Sequence, residues 1–320
     1  MIYSVRHVTT FRYEPAVRES VMEIRMQPRS EGSQRCLSFH LDVSPGANVL
    51  QYRDFSGNIV HHFDVPGQHS EVRVVAESTV EVQETSVPRA ADAGDWADLD
   101  AQLSTDDYWE MLLPSQFAQP TDRLLELSRE LNWERRGNPL DLLIRLNEAI
   151  YNRFAYVPNS TKVDSPIDDA LGTRQGVCQD FTHIMIALVR QLRIPCRYVS
   201  GYLFHNTEGS EKKDRSSDGA THAWVEALVP RLGWIGFDPT NNLLGCERHI
   251  KVAIGRDYAD VPPTRGVYKG EAQSELGVAV TVSEADSAPL EVMSPSIVIR
   301  SRSLPVRASL RKESAQQQQQ

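Results

Sequence analysis

The sequence predicts an α+β protein in which a strand-rich N-terminal region precedes a core that has helices first and antiparallel strands after them. Residues 1–85 alternate apolar with polar positions and are rich in β-branched and aromatic side chains. Helical periodicity begins after Pro120, and strand patterns return from about residue 196. A chain of 320 residues, 40% of them hydrophobic, can bury the cores of two modest domains.

Within residues 1–85, four segments read as strands: 2–13, 19–26, 34–43 and 72–82. Residues 52–63 read as a hairpin, with Ser56, Gly57 and Asn58 as its turn. Several short antiparallel strands of this kind predict a sandwich or small barrel, which forms the first domain.

Two segments differ from their surroundings in composition. Residues 86–119 begin with a strongly acidic stretch, which favours a solvated linker over a substrate-steering acidic patch. Residues 285–320 lose all periodicity, contain prolines and end in five glutamines, which predicts a disordered tail, with a short docking segment as the alternative. Residues 120–284 remain as the predicted catalytic core.

Charge and cysteine content limit the partners and the compartment. The net charge of −9 argues against a nucleic-acid or anionic-membrane surface. The chain shows no secretory signal pattern and no run of about 18 apolar residues that could span a membrane. Its four scattered cysteines are typical of a reducing compartment, so we expect a cytoplasmic protein. The oligomeric state is not indicated.

One cysteine lies where a nucleophile would be activated. Phe181, Ile184, Met185 and Leu188 share one helical face, and this predicts a buried helix with Cys178 in its first turn. Unpaired N–H groups and the positive dipole end would then face the sulfur, favour the thiolate and stabilise an oxyanion. The alternative is that Cys178 is a small buried core residue.

A base and a residue that orients it follow in the sequence. In a strand over 221–229, His222, Trp224 and Glu226 share one face, and a turn near Pro230 leads to a partner strand that ends at Asp238. A hairpin centred near Pro230 would set His222 directly opposite Asp238, where the carboxylate could fix the imidazole tautomer. Alone, either residue is better explained as a half-buried strand histidine or a turn former.

The remaining cysteines and histidines give weaker signals. Cys246 lies in a loop with no visible activating neighbour, and His249 stands alone. The cysteines and histidines show no spacing typical of metal ligands, and the chain lacks an EF-hand loop. We therefore predict neither a metal nor a cofactor.

Long blocks of this sequence resemble bacterial transglutaminase-like proteins. The core blocks are YVPNSTKVDSPIDDALGTRQGVCQDFTHIMIALVRQLRIPCRYVSGYL, THAWVEALVPRLGWIGFDPTNN and HIKVAIGRDYADVPPTRGVYKG, and YRDFSGNIVHHF resembles the accompanying N-terminal domain. The resemblance implies a papain-like α+β core with a triad of Cys178, His222 and Asp238. It also implies attack on an amide carbonyl and a thioester intermediate that water or an amine resolves.

The resemblance leaves the outcome of the reaction open. Tyr156, Gln179 and Trp224 are further candidates for oxyanion or substrate contacts, and residues 205–218 form a polar loop that suits either a flap or an ordinary connection. We expect a peptidase or amidase with a peptide or amide substrate. An acyltransferase that passes the acyl group to an amine, and a non-catalytic binding module, are the alternatives.

Overall fold

A computed structural model of the chain describes residues 1–105, 107–205, 214–216, 219–285 and 296–301. Its described elements are helices and mainly antiparallel sheets, which confirms the predicted α+β class. A strand-rich N-terminal region precedes a core of helices and a second sheet.

Seven strands form the first sheet. They are β1 (Ile2–Ile24), β2 (Gln34–Ser44), β3 (Val49–Arg53), β4 (Ile59–Val82), β12 (Thr264–Lys269), β13 (Gln273–Glu284) and β14 (Ser296–Ser301). The long strands β1 and β4 are antiparallel neighbours, with a register shift between Arg12 and Val17. The predicted hairpin at 52–63 is present, because β3 pairs with β4 across a turn that Gly57 closes with a backbone bond to Asp54.

The core combines helices with a second sheet. The helices are α1 (Trp96–Thr105), α2 (Trp109–Leu112), α3 (Asp122–Glu130), α4 (Pro139–Arg153), α5 (Ile167–Thr173) and α6 (Cys178–Gln191), with a short 3-10 helix at Tyr258–Asp260. The five-stranded sheet runs in the order β10 (Leu243–Leu244), β9 (Gly233–Asp238), β8 (His222–Val229), β7 (Cys196–Leu203) and β11 (His249–Gly255). A small parallel pair joins β5 (Ala155–Tyr156) to β6 (Gln175–Gly176).

Helix α6 lies at the centre of the core. It packs against β7 and β8 on one side and against α3, α4 and α5 on the other. The predicted apolar face is fully buried, with Phe181, Ile184, Met185 and Leu188 each 0% exposed. Because this helix is covered on both sides, its first residue has a fixed position relative to the sheet.

The strand pairing differs from the predicted domain boundaries. Residues 264–284, predicted to belong to the core, supply β12 and β13, and both pair with β1 of the first sheet. The predicted linker 86–119 contains α1 and α2, and α1 buries Leu99. In the predicted tail, residues 296–301 pair with β2 as a parallel strand, and residues 286–295 and 302–320 lie outside the described residues.

Two side-chain amides join the first sheet to the outer edge of β11. Gln34 accepts from the backbone N–H of Lys251 at 2.7 Å and donates to its carbonyl at 2.8 Å. Asn58 does the same at Ile254, with both distances 2.8 Å. An edge strand exposes such groups unless something covers them. The N-terminal region therefore satisfies and positions β11, which begins at His249.

We expect Asn58→Ala to lower the free energy of unfolding by about 2–5 kcal/mol, because it leaves a buried N–H and a buried carbonyl of Ile254 without partners. Urea denaturation of the full chain measures this. The matched control is Asn48→Ala at an exposed position, which should change stability by less than about 0.5 kcal/mol. Equal effects at the two positions would show that the amide contact to β11 contributes little.

Candidate active site

Cys178 is the first residue of α6, as the sequence predicts. The Asp180 carboxylate accepts a hydrogen bond from the N–H of Val177 at 2.8 Å and another from the Thr161 hydroxyl at 2.6 Å. These bonds fix the chain as it enters the helix. A side chain at Gly176 would lie 2.9 Å from an Asp180 oxygen, so the close approach of strand and helix requires glycine here.

The start of α6 can stabilise negative charge. The backbone N–H groups of Cys178 and Gln179 fall in the first turn, where an α-helix offers no intrahelical acceptor. The helix dipole adds positive potential at the same end. The Cys178 side chain is partly exposed, so a substrate carbonyl can reach both the sulfur and these donors.

His222 is the first residue of β8 and is 3% exposed. Across the sheet it pairs with Gly201 of β7. The ring of Trp224, on the same face of β8, stacks on the imidazole with ring centres 6.1 Å apart. The Trp224 ring therefore restricts the plane of the imidazole before any hydrogen bond is considered.

Asp238 ends β9 and holds His222 diagonally rather than directly. The β8–β9 register runs from Val229 opposite Gly233 to Val225 opposite Phe237. Continued by one residue, it places Asp238 opposite Trp224 rather than opposite His222. The prediction of directly opposed residues is therefore wrong by two positions. Both side chains still lie on one face, and Nε2 of His222 is 2.8 Å from Oδ2 of Asp238.

The carboxylate of Asp238 is completely buried and saturated with donors. Its Oδ1 accepts from the backbone N–H groups of Thr240 and Asn241, at 2.9 and 3.2 Å. Its Oδ2 also accepts from the Asn241 side-chain amide at 2.9 Å. Burial opposes ionisation, but the charge and hydrogen bond of His222, helped by His249, outweigh it and hold the pKa of Asp238 well below its usual range.

The His222 ring is a strong base. Burial lowers its pKa, but the Asp238 carboxylate and the adjacent Cys178 side chain outweigh burial and raise the pKa to about 10. With Nε2 on Asp238, the other ring nitrogen, Nδ1, is buried and has no hydrogen bond of ordinary geometry among the described residues. That nitrogen is available to exchange a proton with Cys178.

Two residues that the sequence analysis set aside join this site. Nε2 of His249, at the start of β11, lies 3.3 Å from the same Oδ2 of Asp238. Its Nδ1 lies 3.4 Å from the sulfur of Cys246. The interpretation of His249 as isolated and of Cys246 as lacking an activating neighbour is therefore wrong. The C-x-x-H spacing was the available signal, but only the turn between β10 and β11 brings the pair to Asp238.

Metal-ligating atoms also converge here. One ligand atom each of His222, Asp238 and His249 lies within 4.8 Å of the others, a spacing that an ion could bridge. The hydrogen bonds from both imidazoles to one carboxylate oxygen already account for that spacing. This donor set is therefore an acid–base array.

The three further candidates occupy different positions around Cys178, His222 and Asp238. Tyr156 pairs with Gly176, two residues before Cys178, and is half-buried. The Gln179 amide donates to the carbonyl of Val163 at 2.8 Å, which anchors the preceding loop to α6. Trp224 is buried between the two histidines, with its ring centre 5.0 Å from that of His249. Their roles in oxyanion or substrate binding stay predictions.

Most of the polar loop predicted as a flap or connection, residues 206–213 and 217–218, lies outside the described residues. Residues 214–216, between these two stretches, are hydrogen-bonded to the site. Asn241 accepts from the backbone N–H groups of Arg215 and Ser216 at 2.7 and 3.1 Å, while its amide nitrogen bonds Asp238. Sequence reasoning missed Asn241, because an asparagine after a strand usually signals only a turn.

Comparison with known proteins identifies the family. Residues 3–81 match the bacterial transglutaminase-like N-terminal region, and residues 129–239 match the transglutaminase-like superfamily. An uncharacterized protein of Mycobacterium leprae is 32% identical over 281 residues, covering 87% of this chain and 97% of that protein. The chain belongs to the transglutaminase-like superfamily. An uncharacterized protein of Mycobacterium tuberculosis is 36% identical to this chain over 296 residues, which cover 88% of this chain and 92% of that protein.

Two further relatives extend the comparison of this superfamily member. A crystal structure from Cytophaga hutchinsonii, described as a candidate cysteine protease, shares the fold with a TM-score of 0.71 at 24% identity, covering 90% of this chain and 93% of that one. A protein-glutamine gamma-glutamyltransferase of Pseudomonas aeruginosa is 33% identical over 138 residues, 40% of this chain and 20% of that protein.

Among the described residues, no helix is both long and apolar enough to cross a bilayer.

We expect Gly201→Ala to disturb the site through Trp224. A Cβ at this position would collide with the carbonyl oxygen of Ile250 and lie 2.7 Å from the Trp224 ring, which packs on His222. The free energy of unfolding should fall by about 3 kcal/mol or more, and Cys178 should alkylate more slowly.

Thermal unfolding and timed iodoacetamide labelling with peptide mapping measure both effects. Gly277→Ala in β13 is the control, because its nearest neighbour would be 3.9 Å away. If Gly201→Ala resembles Gly277→Ala in both readouts, the packing of Trp224 does not fix the histidine.

Proposed function

We propose that the chain is a cysteine-dependent amide hydrolase in which Cys178 is the nucleophile, His222 the base and Asp238 the residue that orients the base. One observation carries the proposal. A buried imidazole is bonded to a buried carboxylate through one nitrogen, and its other nitrogen lies free beside a cysteine at a helix start. This arrangement has the parts that nucleophilic catalysis by a thiol requires.

The proposed reaction has two halves, the formation of a thioester on Cys178 and its hydrolysis, and the imidazole of His222 moves a proton in both. His222 Nδ1 takes the proton from Cys178 to form a thiolate–imidazolium pair, the sulfur then attacks the amide carbon, and the N–H groups at the start of α6 stabilise the oxyanion. The imidazolium then gives its proton to the departing amine, which leaves a thioester on Cys178. Water, deprotonated by the same imidazole, attacks the thioester and releases the acid. Asp238 keeps its charge throughout and stabilises the imidazolium.

Transfer to an amine is the second candidate function. It is favoured by the similarity over 138 residues to the Pseudomonas protein named protein-glutamine gamma-glutamyltransferase. The two functions share the thioester and differ in what resolves it. Transfer needs an amine held against the thioester carbonyl with water excluded, whereas water needs no anchor. We therefore propose hydrolysis of a peptide or amide substrate, in the cytoplasm, as the main activity.

A purely non-catalytic role is the least supported alternative. Burying a charged carboxylate costs free energy unless paired donors surround it. The chain supplies five donors to Asp238, three of them side-chain groups of His222, Asn241 and His249. A binding module has no need for such an arrangement behind an imidazole that faces a thiol, so an acid–base role explains it better.

We expect His222→Ala to reduce turnover by on the order of 10³-fold or more, since the thiol loses its base. Asp238→Asn should reduce turnover less, because it weakens the hold on the base without removing it. Turnover on a panel of fluorogenic peptide amides, together with the rate at which iodoacetamide labels Cys178, measures both effects. His40→Ala, in β2 of the first sheet, is the control. A folded His222→Ala variant that keeps near-normal turnover refutes the triad.

We expect water to win over amines as the acyl acceptor. With a donor that the enzyme demonstrably uses, the ratio of hydrolysed to aminolysed product should stay above one in the presence of about 1 mM primary amine, because no preorganised amine site competes with bulk water. Mass spectrometry of the products gives this ratio. Aminolysis that dominates at that concentration would replace the hydrolase proposal with the transferase.

A further inference from the structure

Cys246 and His249 form a second thiol–imidazole pair outside the triad. A turn between β10 and β11 brings them together, closed by a 3.0 Å bond from the His249 N–H to the Cys246 carbonyl. The sulfur then lies 3.4 Å from Nδ1 of His249, whose Nε2 faces Asp238. Asp238 thus stands between two imidazoles, and each imidazole has its own cysteine.

The environment of Cys246 favours a reactive sulfur. Burial opposes the thiolate, but the His249 ring and the backbone N–H of Arg248 outweigh it and lower the pKa of the Cys246 thiol. Cys36 offers the contrast within the same protein. It is also partly exposed, but burial raises its pKa to about 12 and its sulfur donates to the carbonyl of Ser38. Both thiols are partly exposed, so the difference between them lies in their neighbours.

Cys246 is reached by a route of its own. It lines a cavity of about 930 Å³ between the first sheet and the core, together with His249 and Trp224. Neither Cys178 nor His222 is among the described residues that line this cavity. A volume of this size accommodates a small organic molecule. The second thiol therefore does not depend on access to the first.

The charges on the cavity wall compensate one another. Lys251 bonds Glu226 at 2.5 Å and Glu31 at 2.7 Å, and Arg197 bonds Glu226 at 2.6 Å. Paired charges leave little field to attract or repel an ionic reagent. The cavity is thus suited to an uncharged molecule.

We propose that Cys246 is a modification site, where a low-molecular-weight disulfide entering this cavity forms a mixed disulfide, and that His249 transmits the change to Asp238 and His222. The Cys246 thiolate attacks one sulfur of the disulfide. The new S–S bond forms as the old one breaks, and the departing thiolate takes up a proton from solvent. The disulfide is the oxidant, and it is reduced to one thiol for each Cys246 modified.

The coupling follows from the shared carboxylate oxygen. In the mixed disulfide the Cys246 sulfur is neutral and has gained a substituent, so it can no longer pair with His249 as a thiolate. His249 must change its hydrogen bonding, and Oδ2 of Asp238 receives both histidines. The environment of the His222 N–H must then change as well. That this matters for activity rests on the proposed function, but the modification and its effect on His222 do not.

The test uses the full chain with Cys178→Ser, so that the first thiol cannot react. Hydroxyethyl disulfide is added at pH 7, and peptide mapping follows the mixed disulfide at each cysteine over time. We expect Cys246 to react at least about 10-fold faster than Cys36, and this preference to disappear in guanidinium chloride, where the pair is broken. His249→Gln should remove most of the preference, while His62→Gln in β4 should keep it.

The effect on His222 is read by NMR in the same chain. The imidazole N–H resonance that His222→Gln removes should shift when Cys246 is modified, and should stay in place in a chain that also carries Cys246→Ser. Equal rates at Cys246 and Cys36 overturn the modification site, and an unshifted resonance overturns the coupling. Neither measurement requires a substrate. A chain that keeps Cys178 and is selectively modified at Cys246, but shows no turnover before modification, would count against the proposed function alone.

Discussion

A single buried carboxylate, that of Asp238, sets the geometry of the whole candidate site. It accepts hydrogen bonds from the chain that follows it, from Asn241, and from two histidines on different strands. These bonds fix the turn after β9, the first residue of β8 and the first residue of β11 relative to one another. An unpaired charge at 0% exposure would be strongly destabilising. The donors are therefore a condition for folding as much as for the proposed chemistry of Cys178.

The N-terminal region has a structural share in this site. The amides of Gln34 and Asn58 bind the outer edge of β11. His7 of β1 adds a 2.9 Å hydrogen bond to the Tyr202 hydroxyl of β7. Since β11 carries His249 and β7 supports β8, contacts from the first sheet reach Asp238 from two directions. The first sheet and the core are best regarded as one cooperative unit.

Local patterns in the sequence predicted the local features well. The apolar face of α6 fixed the position of Cys178, because a buried helix has a strict period and its first turn follows from where that period begins. Alternation along β8 placed His222 and Trp224 on one face. The diagonal rather than direct approach of His222 to Asp238 was missed, since the exact register depends on the turn from Pro230 to Gly233.

Contacts between segments that are far apart in the chain could not be predicted from the sequence. A strand pattern at residues 273–284 does not say which strand it will pair with, so its place beside β1 could not be predicted. Likewise, Gln34 and Asn58 look like ordinary polar residues until the edge they cover is known. The pair of Cys246 and His249 has meaning only next to a carboxylate that precedes it by eight residues in the chain.

The two amides on β11 have a consequence for how this architecture can be divided. A fragment that kept the helices and the five-stranded sheet but lacked residues 1–85 would leave the backbone groups of Lys251 and Ile254 bare on a strand flanked by apolar residues. Strand edges with unpaired backbone groups pair with the same edges of other chains. Gene rearrangements that separate the two halves would therefore yield self-associating chains, and that hazard favours inheritance of both halves together.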